Sequence, residues 1–223
     1  MTRTKSTFLA LLAVLLSPMA ANAVPILVNG SLTGPIANTT IPTGWSITLG
    51  TPDTMDQDNN VGISGLGDFV ATPSPSPDGG TWIGVARNGE LNNEIFGQLI
   101  SGFDIGESYE LGWYHGNFGF RVHSGANAIE VLLDGLSIGS GAIRSVSEGW
   151  LDEMISFSAT AETHRIDFRL LMTDQSYHSI DGIRLGLAES VPEPGTSVPE
   201  PGTLALLGIG LFGMGLARRR KKV

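Results

Sequence analysis

The chain has 223 residues, a formal net charge of −9 at pH 7 and no cysteine, which excludes a disulfide-stabilised scaffold. Residues 24–190 are more acidic than the whole, because twenty acidic residues face six arginines and no lysine, a formal charge of −14. Such a surface repels nucleic acid and anionic lipid, which excludes a nucleic-acid-binding protein, and it suits divalent cations or neutral partners.

The N-terminal segment has the three parts of a secretory signal peptide. Arg3 and Lys5 form a short basic region, residues 8–16 form an apolar run, and Ala21-Asn22-Ala23 is a small-residue triplet. This order predicts that residues 1–23 are a signal peptide. Ala21 and Ala23 are the small residues of its cleavage site, and we expect cleavage after Ala23. An uncleaved membrane anchor is the alternative, which the shortness of the apolar run disfavours.

Residues 24–190 have the usual size of one domain, and their pattern predicts β-structure. Five segments alternate apolar with polar residues: ESYELGWYHG (107–116), NAIEVLLDG (127–135), EMISFSA (153–159), HRIDFRLLM (164–172) and DGIRLGL (181–187). Asp134-Gly135 predicts a tight hairpin turn, and the Pro, Ser, Asp and Gly of residues 59–78 predict long loops. No segment sustains a helical period, so we expect an all-β sandwich.

The C-terminal segment combines a repeated motif, an apolar span and a basic tail. VPEPGT begins at Val191 and again at Val198, residues 203–217 carry no charge, and residues 218–222 are all basic. Fifteen helical residues span about 22 Å, short of a ~30 Å hydrocarbon core, so insertion needs snorkelling or a thinned bilayer. The basic tail should stay cytoplasmic, which places the body outside the cytoplasmic membrane. A buried core helix is the alternative, which the basic block disfavours.

The ordered motif Pro199-Glu200-Pro201, apolar span and basic tail resembles the PEP-CTERM sorting signal of Gram-negative bacteria. This resemblance implies recognition and cleavage by a membrane-embedded exosortase, in a system that accompanies exopolysaccharide and biofilm production. It predicts a linker at 191–198 and a sorting signal at 199–223, whose transmembrane helix holds the protein at the cytoplasmic membrane until processing moves it to the cell surface or medium. Only the second VPEPGT copy adjoins the apolar span, so we expect that copy to be functional.

Several sequence segments follow one another in the body: LVNGSL, GW at 44–45, GFDIGESYELGWY, IEVLLDG, GWLDEMISFSATAETHRIDFRL and SIDGIRL. Their order resembles that of a galactose-binding-like jelly roll, the fold of many carbohydrate-binding modules. In such domains the first strand often contains Asn-Gly-x-Phe-Glu, whereas Leu32 and Thr33 occupy the last two positions here. This departure argues against a calcium site that uses the Glu, although the closing Asp181 is present. We therefore predict a jelly-roll β-sandwich.

Aromatic side chains in the body are candidates for stacking on sugar rings, because their faces complement the apolar faces of pyranoses. The candidate ligand-binding residues are Trp45, Trp82, Tyr114 and His115. Trp113 and Trp150 lie within apolar alternation, so for these two we expect packing.

Metal binding and catalysis have weaker signals. Asp56, Asp58 and Asn60 have the D-x-D-x-N spacing that suits Ca²⁺, yet Gly67 stands where an EF-hand places its bidentate Glu, so a solvated acidic loop is the alternative.

The chain contains none of the G-x-S-x-G, H-E-x-x-H or phosphate-loop motifs. We expect no catalytic residues and no enzyme.

These observations predict an exported, non-catalytic surface or matrix protein that associates with extracellular polysaccharide. The alternative is a structural or adhesive surface protein that binds protein partners and has no sugar site. A long unpaired strand edge or a large apolar patch would favour this alternative.

Overall fold

A computed structural model describes residues 25–58, 69–89 and 92–188. The predicted signal peptide, the linker and the sorting signal lie outside these residues, as does most of the acidic loop. The described residues all belong to one compact unit, residues 1–188. The domain boundaries given above remain predictions.

The described part of the chain forms eleven β-strands and no helix. They are β1 (Ser46–Leu49), β2 (Asp53–Met55), β3 (Trp82–Asn88), β4 (Asn92–Asn93), β5 (Ile95–Ser101), β6 (Ser108–Asn117), β7 (Ile129–Leu133), β8 (Leu136–Ser140), β9 (Glu148–Ser158), β10 (Thr163–Leu170) and β11 (Ser176–Leu187). No helix in these ranges is long and apolar enough to cross a membrane.

The strands form two antiparallel sheets that pack face to face. One has the order β1-β5-β10-β7-β8, and the other has the order β2-β3-β11-β6-β9, with β4 paired to β3. Non-consecutive strands are neighbours in both sheets, as crossovers between two layers require. The prediction of an all-β jelly-roll sandwich is confirmed.

The apolar residues of the predicted alternating segments form the core. Ile129, Val131 and Leu133 of β7 are buried, and Ile166, Phe168 and Leu170 of β10 are buried beside them. The hairpin between β7 and β8 turns at Asp134 and Gly135, with φ of 52° and 81°. Positive φ at both central residues matches the right-handed twist of the flanking strands, which explains the Asp-Gly signal.

Aromatic contacts join the two sheets. Phe168 of β10 stacks on Phe96 of β5, with ring centroids 5.5 Å apart, and meets Trp113 of β6 at 6.0 Å. All three rings are completely buried. Trp113 therefore packs in the core, as its position in the alternation predicts.

Two long strands, β3 and β5, were not predicted. In β3, Ile83 and Val85 enter the core between the sheets, whereas Trp82 joins a second apolar cluster with Met55, Phe120 and Tyr177. Both faces of β3 are therefore covered. A strand buried on both faces loses the alternation that a one-sided strand shows, so its sequence offers no period-2 signal.

Replacing Phe168 with Ala should lower the free energy of unfolding by about 3–5 kcal/mol, because the cavity would lie between the sheets, where neighbouring rings cannot collapse into it. Leu99→Ala is the matched control, since Leu99 of β5 is 67% exposed and its loss should change stability by less than about 0.5 kcal/mol. Urea denaturation of both variants measures the difference. Equal losses would contradict the assignment of the core.

Candidate functional site

A cleft of about 410 Å³ opens beside the second apolar cluster. Its walls come from the β1–β2 connection, the end of β3, β4, the turn around Phe120 and strand β11. The lining residues are Leu49, Gly50, Thr51, Ala86, Asn88, Asn93, Glu94, Phe120, His123 and Tyr177. Apolar walls with a few polar groups converging on them are the usual composition of a small-ligand site.

Glu94 lies where the chain passes from one sheet to the other, between β4 and β5. Its backbone N–H donates to the carbonyl of Ala86 over 3.0 Å, and its carboxylate accepts the Ala86 N–H over 2.7 Å. The hydroxyl of Thr51 donates to the other carboxylate oxygen over 2.8 Å. The side chain thus replaces a missing ladder partner of β3 and ties the β1–β2 connection to the crossing.

Two glycines make room for this arrangement. A Cβ on Gly50, whose φ is +72°, would lie 2.7 Å from Cγ of Glu94. A Cβ on Gly84 would lie 2.2 Å from the hydroxyl oxygen of Tyr177. Only glycine permits the first conformation and both close approaches without displacement of the neighbours.

A second carboxyl, that of Asp53, lies behind the cleft. It accepts hydrogen bonds from the hydroxyl of Tyr177 and the backbone N–H of Thr39, each over 2.9 Å. Asp53 is 6% exposed, and burial raises its pKa from the ordinary value. Burial also raises the pKa of Tyr177 well above its usual value, so the phenol remains the donor in this pair.

The pKa of Glu94 is raised from 4.5 to about 7, chiefly by burial and further by the nearby charge of Asp53. Hydrogen bonds from Ala86 and Thr51 oppose this rise. A carboxyl with a pKa near the working pH, in a cleft, is a marker of functional sites.

Two residues that line the cleft carry polar atoms without partners. Asn93 is 5% exposed, and its buried Oδ1 has no hydrogen-bond partner among the described residues. Nδ1 of His123, another lining residue, is likewise buried and unpartnered within the described ranges. A buried polar atom left unsatisfied costs about 1–3 kcal/mol, so these two atoms lower the stability of this part of the fold.

The predicted stacking residues Trp45 and Trp82 do not form an open platform. Trp82 is completely buried and meets Trp150 edge to face at 5.3 Å. Trp45 is 8% exposed, and its Nε1 donates to the carbonyl of Asn29 over 2.9 Å. Their faces are covered because both rings fill apolar clusters, so the expectation that they stack on sugar is corrected.

Tyr114 and His115 are neighbours in β6 and therefore point to opposite faces. The half-buried ring of Tyr114 is covered on one side by the guanidinium of Arg184, 4.7 Å from the ring centroid. His115 is completely buried, and its Nε2 lies 2.7 Å from Nδ1 of His178. The expected role of His115 in ligand contact is therefore corrected, whereas Tyr114 remains partly accessible.

His115 belongs to a buried polar chain with His178 and Glu153. Its Nδ1 lies 3.4 Å from the carboxylate of Glu153, and Nε2 of His178 lies 3.4 Å from the carbonyl of Gly125. Burial lowers the pKa of both histidines. The chain is enclosed, so it has no access to a ligand in solution.

The predicted calcium ligands are only partly described. Asp58 donates its backbone N–H to the carboxylate of Asp56 over 2.9 Å, as in an Asx turn, and Asn60 lies outside the described residues. Within the described ranges, no group of three or more His, Cys, Asp or Glu side chains could hold a metal ion. Calcium binding by Asp56, Asp58 and Asn60 remains a prediction.

Asp181, the closing residue of the jelly-roll resemblance, is completely buried. Its carboxyl accepts a hydrogen bond from the hydroxyl of Ser76. Burial raises its pKa to about 7. The cost of burying its charge and the hydroxyl donor favour a structural role for Asp181.

The cleft residues were missed because they are distant in sequence. Thr51 and Glu94 are 43 residues apart, and Asp53 and Tyr177 are 124 apart. The one local signal is NNE at 92–94, the end of a mostly polar segment just before the apolar residues of β5. Such a run of polar residues is also typical of an ordinary turn.

Residues 197–221 match the PEP-CTERM protein-sorting motif. The chain therefore carries this motif, as its PEP, apolar and basic segments predicted, and the motif implies a protein that is exported and passes through the membrane. No curated protein matches the chain.

Several solved β-sandwich structures are similar to the described fold. A carbohydrate binding module from Cellvibrio mixtus lichenase 5A, in complex with cellotriose, is 13% identical, has a TM-score of 0.38, and covers 61% of this chain and 97% of its own. A family 35 carbohydrate binding module from Clostridium thermocellum is 12% identical, with a TM-score of 0.34 and coverage of 74% and 98%.

Larger proteins match over part of their length. An arabinose-bound α-L-arabinofuranosidase is 15% identical, with a TM-score of 0.47, over 74% of this chain. The chain spans 26% of that protein and 20% of the matched bacteriophage CBA120 tailspike protein 4 active domain. Such distant likenesses say nothing about ligand or activity.

The raised pKa of Glu94 predicts that the protein loses stability as pH rises. The folded state binds the Glu94 proton more tightly than the unfolded state, so the free energy of unfolding falls from about pH 4.5 to about pH 7 and is level above. Glu94→Gln keeps an acceptor for Ala86 and should make the protein about 1–2 kcal/mol more stable at pH 8, with no gain at pH 4.

Chemical denaturation between pH 4 and pH 8 measures this effect, with the exposed Glu162 changed to Gln as control. Asp181 has a raised pKa as well, so part of the pH dependence should persist in Glu94→Gln. Identical pH profiles for the Glu94 and Glu162 variants would contradict the assignment.

Proposed function

We propose that this protein is exported, held at the cytoplasmic membrane by residues 203–217, and cleaved at its PEP motif by an exosortase. Processing then releases or transfers it to the cell surface or matrix. The match of residues 197–221 to the sorting motif supports this proposal. A proline fixes its own φ and disfavours helix in the preceding residue, so a Pro-Glu-Pro sequence favours an extended conformation, which an enzyme can bind.

We further propose that the body binds extracellular polysaccharide without catalysing a reaction, through the cleft that contains Glu94 and Asn93. The cleft has an apolar wall at Phe120 and polar groups at Asn88 and His123. Sugars need this combination, because they present apolar faces and hydroxyl edges together. The carboxylates of Glu94 and Asp53 both accept hydrogen bonds from the protein, which favours a binding role over an acid–base pair.

One observation favours the alternative of an adhesive protein. Strand β9, eleven residues long, ends the order of its sheet, so one edge has no strand partner among the described residues. Met154 on this strand is 62% exposed. An unpaired strand edge can pair with another chain, and protein binding at β9 would replace sugar binding as the function.

Processing predicts that the exported protein begins at residue 24 and lacks residues 203–223. Pro199→Ala with Pro201→Ala should leave the C-terminus intact, because the extended motif would be lost. Pro192→Ala with Pro194→Ala, in the first VPEPGT copy, is the matched control and should be processed normally. Intact-mass spectrometry of protein from the native host distinguishes these cases, and a mature wild-type chain ending at Val223 would refute the proposal.

Binding at the cleft predicts saturable binding to a polysaccharide, which Asn88→Ala and His123→Ala should each weaken about tenfold, the usual effect of removing one or two hydrogen bonds to a ligand. Tyr114→Ala is the control at the other accessible site. The measurement is calorimetry against a polysaccharide panel that includes the host's own, with calcium and with chelator.

If only Tyr114→Ala lost binding, the sugar site would instead be assigned to the hollow lined by Asp78, Gly182 and Arg184. Loss only with chelator would support a calcium site at Asp56, Asp58 and Asn60. Failure to bind any glycan would favour the adhesive alternative.

A further inference from the structure

The described lining of the Glu94 cleft is rich in hydrogen-bond acceptors and contains no Lys or Arg. Glu94 contributes a carboxylate to the cleft wall, and Asn88 and Asn93 contribute amide side chains. A ligand that pairs with the carboxylate must bring donors. Neutral hydroxyls supply donors, but an ammonium group supplies three and a compensating charge.

The charge around the cleft also selects against anions. Asp53 lies close enough behind Glu94 to raise its pKa, and residues 24–190 carry a formal charge of −14. A uronate or sulfated sugar placed in the cleft would face these carboxylates without a lysine or arginine from the described lining. A cation placed there would remove the mutual repulsion of the two carboxylates.

We propose that the cleft selects a glycan bearing a free amino group, with its ammonium against the carboxylate of Glu94. This inference rests on the proposed polysaccharide-binding function and names the sugar class that the same cleft takes. The carboxylate already accepts hydrogen bonds from Ala86 and Thr51, so it is held in place before the ligand arrives. Asn88, exposed at the end of β3, lies at the rim, where the rest of the sugar would pass.

Selection of an amine gives binding a particular pH dependence. Glu94 must ionise to pair with the ammonium, and its pKa is about 7 in the free protein. The sugar amine loses its own proton near neutral pH, and His123 and Tyr177 are the other titratable groups of the described lining. The affinity for an amino glycan should therefore rise severalfold from pH 5.5 to a maximum near pH 7 and fall at higher pH. The affinity for the N-acetylated form of the same glycan should not rise, because an amide carries no charge.

The test is calorimetry of the purified full-length chain in detergent with three probes: a β-1,4-glucosamine oligosaccharide, its fully N-acetylated counterpart and an oligouronate. We expect the amino oligosaccharide to bind at least tenfold more tightly than the other two at pH 7. Glu94→Gln should remove both this preference and the rise in affinity between pH 5.5 and pH 7, while Glu162→Gln should keep both.

Asn88→Lys provides a second variant that leaves the interior unchanged. A lysine at the rim should repel the ammonium and lower affinity for the amino oligosaccharide about tenfold, whereas Leu99→Lys, at an exposed position outside the cleft lining, should leave the preference unchanged. If the N-acetylated probe binds as tightly as the amino probe, this inference is overturned and polysaccharide binding stands. If no probe and no panel polysaccharide binds, the proposed function fails together with the inference.

Discussion

The structure depends on aromatic packing between two sheets, because no cysteine is available to cross-link them. Phe168, Phe96 and Trp113 lie at the centre of this packing, each from a different strand and each fully buried. Large aromatic side chains bury about 150–250 Å² each and dominate the energetics of protein cores. An exported protein without disulfides must obtain its stability from such a core, and the outer loops can then vary without loss of the fold.

Polar groups are accommodated at the margins of this core. His115, His178 and Glu153 form a buried chain, and the exposed Asp134 accepts hydrogen bonds from the buried His164 at 2.6 Å and from the backbone of Arg165 at 2.8 Å. Buried polar groups stabilise one arrangement only when each finds a partner. One oxygen of Glu153 and Oδ1 of Asn93 are among the buried atoms without a partner in the described residues.

The cleft arises where the chain changes sheets. A strand that leaves one sheet for the other interrupts a ladder, and the carboxylate of Glu94 fills the interruption by accepting the Ala86 N–H. The geometry of the crossing thus brings a carboxyl into a half-buried position and raises its pKa. A structural requirement of the sandwich therefore creates the acidic, acceptor-rich site that we propose to bind sugar.

The sequence by itself determined the features that depend on neighbouring residues. Alternation predicted β7 and β10, Asp134-Gly135 predicted the hairpin turn that follows β7, and the linear order of PEP, apolar and basic segments predicted the sorting motif. Tertiary structure alone decided the burial of Trp45 and Trp82, the second covered face of β3 and the cleft around Glu94. These features depend on contacts between residues 43 to 124 positions apart, and local patterns carry no information about which distant segments will cover a strand.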